Sequence, residues 1–470
     1  LFASKSGGYW HSSDLIKWKL IPTDELPVED YAPTVVAIGD TLYFLASSDH
    51  ANIYKTTDPR SGKWTVAKAK FEISLDDPAF FLDDDNRLYL YWGSSNNAPL
   101  WGTEIDYKNG FKPIGEPVAL ISANPSNNGW KVHGDHNTRH NAAPWIEGAW
   151  LNKHNGKYYL QYACPGTEYK SYADGVYVAE SPLGTFKQAK NNPFACKPAG
   201  FITGAGHGNT FSDKYGNYWH IGTVTISVKH MFERRLALFP SFFDAEGELH
   251  CNTALGDFPM VIPNHRIKSG DELFPGWMLL SYKKDVEVSS SLDGHSTESM
   301  TDEDIRTYWS AVTGSSDEWV KLDLGMNYDV YALQLNFAEQ NTTTLGRKDG
   351  LYFKHTIEMS SDNKHWEKLV DNSENSSKNS HHYIQLEQKV KCRYLRLKNI
   401  RVADGCFALS GFRVFGKGNG NKPDKVNQFL VDRESGNRRT VHLSWKKEEK
   451  AIGYWITAHF LNAAAQFEEM

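Results

Sequence analysis

Several residues in this 470-residue chain are of types that do chemistry, and their spacing limits what that chemistry is. Asp76-Asp77-Pro78 and Glu147-Gly148 place carboxylates beside backbone-constraining residues. Taken alone, each reads equally as a turn or strand-end acid. His207 stands between Gly206 and Gly208, whose small size leaves an imidazole room. His133, His136 and His140 are spaced 3 and 4 apart, but no matching carboxylate or Cys completes a zinc set. That segment reads instead as a loop lining a site upstream of Glu147. Asp302-Glu303-Asp304 offers oxygens of the kind calcium takes, so Asp302 and Asp304 are candidate metal ligands, with a solvated acidic loop as the alternative. Trp10 and Trp130 are candidates to stack on a sugar ring, with core packing as the alternative. The five cysteines, at 164, 196, 251, 392 and 406, are widely and irregularly spaced, which predicts thiols rather than a disulfide framework or a zinc knuckle.

The elements that would position these residues are β-strands. A turn followed by an aromatic strand recurs at Gly39-Asp40-Thr41-Leu42-Tyr43, Asn86-Arg87-Leu88-Tyr89, Gly156-Lys157-Tyr158-Tyr159 and Gly216-Asn217-Tyr218-Trp219. Each follows a short β-prone run, so each pair predicts a hairpin. A strand, a turn and an aromatic residue come next, over 53–64, 100–111, 176–186 and 236–247. A fifth copy of this outer half, Tyr9 to Trp18, opens the chain with no hairpin before it. Repeats of about 45–70 residues with about four strands each are the signature of a propeller. The count gives five outer halves and four inner ones, so the chain is expected to open part-way through its first blade.

Past the repeats the pattern changes. Short alternating runs such as Trp319 to Gly325 and Tyr394 to Leu397 predict an all-β sandwich. The expected domains are a propeller over 1–262, a linker over 263–284, a β-sandwich of jelly-roll type over 285–416 and a partial third sandwich over 423–470. In the last, Val441 to Trp445 and Gly453 to Ile456 are the expected strands. The fold class is therefore all-β.

Composition narrows the partners. A net charge of −6 without a long basic run argues against nucleic acid, which needs clustered Lys and Arg. No run of 18 apolar residues predicts a membrane span. Aromatic residues make up 13 %, an excess that fits either sugar stacking or aromatic-rich strands.

The motifs of residues 1–262 resemble, in order, those of family 43 glycoside hydrolases, which are five-bladed β-propellers. Asp76 to Phe81 with Asp83-Asp84-Asp85 resembles the Asp-Pro strand. Glu147-Gly148 resembles the Glu-Gly motif, Gly206 to Asn209 the Gly-His-Gly strand, and Arg235, five residues before Pro240, the Arg strand. The resemblance implies that Glu147 is the general acid and that Asp77 tunes and orients it. Inverting hydrolysis needs two carboxyl groups about 6.5–9.5 Å apart, and a neighbouring carboxylate keeps the acid protonated by like-charge repulsion. It also implies that His207 holds a water or metal or shapes the pocket floor, and that Arg235 binds sugar hydroxyls.

The family's general base lies on the inner strand that the repeat count lacks. Asp30 is nearest by position, but Asp30-Tyr31-Ala32-Pro33 resembles a different strand, so no base is assigned. Either the base precedes Leu1 or the chain is catalytically incomplete. Residues 285–416 resemble discoidin-like, coagulation-factor 5/8 type C modules, many of which bind carbohydrate. Residues 423–470 resemble the opening of a fibronectin type III module. The expected protein is a secreted or periplasmic, monomeric, inverting exo-glycosidase. Its substrates are oligosaccharides or polysaccharides of plant side chains, cleaved as an α-L-arabinofuranosidase or β-xylosidase. A galactosidase or galactofuranosidase, and a sugar-binding protein without turnover, are the alternatives. No cofactor is required for the chemistry; calcium is a candidate occupant of the discoidin-like module or of the propeller axis.

Overall fold

The computed structural model describes all residues except 29, 125–128, 141–142, 231, 344–349, 351, 419–422, 434, 436–440, 452–453 and 455–470. Among the described residues four sheets stand as propeller blades. The first contains Tyr31–Ile38, Thr41–Ser47, Ile53–Thr56 and Thr65–Lys68. The second contains Ala79–Leu82, Leu88–Trp92, Leu100–Asp106 and Lys112–Ile121. The third is built from Glu147–His154, Lys157–Cys164, Ala173–Ala179 and Lys187–Gln188, with Ala195–Cys196 added beside Ala173–Ala179. The fourth is Thr203–Ser212, Tyr218–Thr225, Arg234–Phe243 and Leu249–Cys251. All neighbours within these blades are antiparallel, as tight Gly, Asn and Asp turns dictate. Gly8–His11 and Lys19–Pro22 form a separate two-stranded sheet, to which Phe2 adds a bridge at Tyr9.

The four inner strands pack side by side around an axis. Their apolar residues fill the wedges between blades. Leu45, Ile53, Phe80 and Leu90 lie in the first wedge, Tyr91, Leu151 and Leu160 in the second, and Val176, Ala205 and Phe239 in the third. Each large apolar side chain buried this way contributes about 1.5–3 kcal/mol. One polar tie also crosses a wedge. Asp83 Oδ1 lies 2.6 Å from Lys153 Nζ, and Asp83 Oδ2 accepts from the Tyr158 hydroxyl at 2.6 Å. The acidic turn 83–85 thus joins the second blade to the third.

The second unit is one eight-stranded sheet. Its long strands Trp319–Phe337 and His381–Arg401 pair along both halves, with a register break between Asp323 and Tyr328. They enclose a core that includes Trp309, Leu322, Val330, Leu335, Ile357, Leu397 and Phe412. The expected linker 263–284 is structured. Ser269 caps the short helix Gly270–Leu273, Leu273 packs with Trp219 and Leu255, and Met278–Leu279 joins the edge of the sheet. At the C-terminal end Val441–Lys446 pairs with Asn427–Arg433. The second strand expected there, 453–456, falls largely outside the described residues. None of the five cysteines, all described, forms a disulfide. No helix among the described residues is long and apolar enough to cross a membrane.

Asp83 is almost fully buried and Asp84 is exposed. Asp83→Ala is therefore expected to lower stability by about 2 kcal/mol, because it strands the Tyr158 hydroxyl and leaves Lys153 only its exposed partner Asp84. Asp84→Ala is expected to be close to neutral. Urea unfolding of both variants checks this; equal losses would refute the tie.

Candidate active site

The inner strands bring Asp77, Glu147 and His207 to one place. Asp77 Oδ2 lies 3.8 Å from His207 Nδ1. The Asp77 carboxylate accepts the N–H of Gly148, and the Asp77 N–H donates to Ser47 Oγ at 2.9 Å. Asp77, Gly148 and His207 all have left-handed backbone, with φ of 51°, 64° and 50°. Such a conformation is costly for a residue with a Cβ and persists where surrounding structure imposes it. At Gly148 a Cβ would sit 2.8 Å from the His207 ring, so glycine is required there both by φ and by space.

Glu147 is held from both sides. Its Oε1 accepts from the Tyr172 hydroxyl and its Oε2 accepts from Ser94 Oγ at 3.0 Å. Ser94 Oγ in turn accepts from Trp145 Nε1 at 2.8 Å. The indole of Trp145 is 40 % exposed, so a solvent-facing aromatic plate is tied to the acid through one serine. Burial, and then the Glu147 charge, push the Tyr172 phenol well above its usual range, so it stays a donor. The strand carrying His207 is fixed by buried Asp174, whose two oxygens accept the N–H groups of His207 and Gly208 at 2.8 Å each. Asp174 Oδ2 also lies 3.2 Å from His220 Nε2.

Other expected residues lie elsewhere. Arg235 Nη1 donates to Glu233 at 2.5 Å, and its charge is felt by His381 of the second unit. Its neighbour Arg234 donates to Thr167 Oγ1 and acts on the Tyr172 phenol. Trp130 packs its ring on Tyr162, and a Cβ at Gly175 would lie 2.8 Å from it, so it belongs to the wedge core rather than to a sugar surface. Trp10 sits on Gly8–His11, in the two-stranded sheet and on none of the four inner strands. The oxygens of the acidic loop are engaged within the protein. Asp302 accepts from the Asp304 N–H and the Thr307 hydroxyl, Asp304 accepts from the Arg306 N–H, and Glu303 pairs with Arg413. Among the described residues no group of three or more His, Cys, Asp and Glu is placed to hold a metal. Ser94, Trp145, Tyr172 and Asp174 carried no sequence signal beyond their type, because their partners are distant in the chain.

Residues 3–247 match the family model of glycosyl hydrolases family 43. The chain belongs to glycosyl hydrolase family 43. It is a glycoside hydrolase, and residues 285–410 match the F5/8 type C domain. Among solved structures it is similar to a glycoside hydrolase at 18 % identity, covering 86 % of this chain and 89 % of that one, with a TM-score of 0.47. It is similar to a family 43 protein from Bacillus licheniformis at 16 % identity, covering 87 % and 92 %, TM-score 0.43. It is also similar to an α-L-arabinofuranosidase from Clostridium thermocellum at 16 % identity, covering 51 % and 80 %, TM-score 0.40. No curated protein matches.

Asp77 gives this family 43 site a measurable signature. Burial first, with a further push from Glu147 against a pull from His207, takes its carboxyl up to about 6. A folded value above the unfolded one means that ionised Asp77 opposes folding. The penalty is absent below the unfolded value of about 4, grows as pH rises through about 6 and is complete above it. Asp77→Asn removes it. The stability of this variant relative to the parent is expected to rise by on the order of 2 kcal/mol from pH 4 to pH 8. Parallel pH-stability curves in urea would contradict the burial of this charge.

Proposed function

We propose that the chain is an inverting exo-glycosidase acting on plant polysaccharide side chains, as an α-L-arabinofuranosidase or β-xylosidase. Glu147 is the general acid, Asp77 tunes and orients it, and His207 shapes the floor of the pocket. Arg235 binds sugar hydroxyls, with Arg234 beside it on the same strand. The two-stranded sheet near the N-terminus is read as the outer part of a fifth blade. The second unit is read as a jelly-roll module of the sugar-contacting kind, and the ribbon after 423 as the start of a fibronectin type III fold. Side-chain polysaccharide is extracellular, so the enzyme is secreted or periplasmic.

The observation that carries this reading is the hold on Glu147. One oxygen is fixed by Tyr172 and the other by Ser94, beside a buried second carboxylate. Fixing both oxygens gives the carboxyl a set direction for proton transfer, although two donated bonds by themselves favour its ionised form. A second reading, sugar binding without turnover, is favoured by the state of Asp77. It is buried and already accepts the Gly148 N–H, which suits a tuning group and not a base that activates water.

General-acid catalysis has a specific test. Glu147→Gln is expected to slow hydrolysis of poor leaving groups, such as alkyl glycosides, by about 10²–10⁴-fold. Dinitrophenyl glycosides, whose leaving group needs no proton, should lose far less. Equal losses on both would remove Glu147 from that role. No turnover by the parent chain, with oligosaccharide binding retained in calorimetry, would favour the binding reading.

Trp145 adds a second test. The acid protonates the leaving oxygen, so an aromatic plate tethered to the Glu147 partner Ser94 stands on the leaving-group side. Trp145→Ala is expected to raise KM for oligosaccharides about tenfold, a loss typical of one stacking contact. Small aryl glycosides should be affected less. An equal change in both would refute the placement.

A further inference from the structure

The second unit reaches the catalytic acid through one loop. Residues 165–172 connect Lys157–Cys164 to Ala173–Ala179 and end at Tyr172, whose hydroxyl donates to Glu147. Arg306 of the second unit grips this loop from outside. Its Nε and Nη2 donate to the two oxygens of Asp135 at 3.1 and 3.0 Å, and Nη2 donates to the Glu168 carbonyl at 2.7 Å. Asp135 Oδ1 also accepts the Lys170 N–H at 2.8 Å, and Ser171 Oγ donates to the Gly134 carbonyl at 2.9 Å. Inside the loop the Tyr172 N–H donates to the Tyr169 carbonyl at 3.2 Å. Lys170 Nζ returns across the boundary to Asp304 Oδ1 at 3.4 Å.

The geometry explains why an arginine stands at 306. A planar guanidinium holds a carboxylate with two parallel bonds, which fixes orientation as well as distance. Arg306 and Asp135 side chains are only 28 % and 29 % exposed, so the pair is partly shielded from water. The acidic turn 302–304 organises the turn that presents it, since Asp304 accepts the Arg306 N–H. Separate ties keep the two units docked without Arg306. Buried Arg413 pairs with Glu303, stacks on Phe201 and donates to the Asp257 carbonyl, and Asn336 donates to the Ile226 carbonyl.

We propose that Arg306 is a positioning residue for hydrolysis: through Asp135 and loop 165–172 it sets the Tyr172 hydroxyl on Glu147. The proposal rests on Glu147 being the acid. It gives the F5/8 type C unit a part in positioning the acid, beside its sugar-contacting role.

Arg306→Ala, Tyr172→Phe and the double variant test it in the full chain. With alkyl glycosides, whose leaving group needs the proton from Glu147, Arg306→Ala is expected to lower kcat about tenfold with little change in KM, as for a small misplacement of a catalytic group. In the Tyr172→Phe background it is expected to cost less than about twofold, because the hydroxyl it positions is gone. Hydrogen exchange gives a readout free of turnover: the Lys170 and Tyr172 amides should exchange faster in Arg306→Ala. Losses that multiply in the double variant, or unchanged exchange in the loop, would overturn the proposal. If the parent chain shows no turnover, the glycosidase reading fails on its own, and the exchange data alone decide whether Arg306 holds the loop.

Discussion

A buried carboxylate beside a second carboxylate is the arrangement on which the rest of this structure depends. Asp77 is almost out of water and within reach of the Glu147 charge, a combination that opposes folding unless other groups answer it. The propeller supplies those groups from different blades. The Gly148 N–H comes from the third blade, His207 from the fourth, and Ser47 fixes the Asp77 backbone from the first. Three residues at the centre hold left-handed backbone, and buried Asp174 pins the strand that carries one of them. The buried charge and the left-handed backbone of Asp77 and His207 are unfavourable in isolation. They persist because the wedge cores between blades hold the inner strands in place.

The same logic extends outward. Glu147 depends on Tyr172, Tyr172 on loop 165–172, and that loop on Asp135 and Arg306. Charges that read in sequence as a metal loop serve instead to present an arginine and to hold another, Arg413, at the boundary between units. Lys170 pairs with Asp304, while Asp302 is held by the Thr307 hydroxyl and the Asp304 N–H.

How much of this was legible in the sequence follows from the range of the interactions. The hairpins were legible, because turn residues and aromatic strands are local signals, and the four full blades fall where those signals stand. Asp77, Glu147 and His207 were named through motifs in family order, since alone each reads as a turn, strand-end or core residue; the structure brings the three together. Arg235 was named by its motif; the strand alternation that turns Arg234 to Thr167 turns Arg235 to Glu233. Trp130 was open between stacking and packing, and only the tertiary fit against Tyr162 and Gly175 decides it. Ser94, Tyr172, Asp174 and Arg306 act over separations from 25 to 171 residues, which no local pattern encodes. The stretch 263–284 looked like a linker because its contacts are also distant: Leu273 with Trp219, and Met278 with Gly416.

The central claim is that the reacting bond lies against Glu147, with the cluster of Asp77 and His207 behind it. A crystal structure of the Glu147→Gln chain with an arabino- or xylo-oligosaccharide tests this most directly, since it requires binding and not turnover. The account predicts a glycosidic oxygen about 3 Å from the side chain at position 147, with the leaving-group sugar toward Trp145. A sugar bound away from the inner strands, or one whose glycosidic oxygen faces a different carboxyl group, would contradict it.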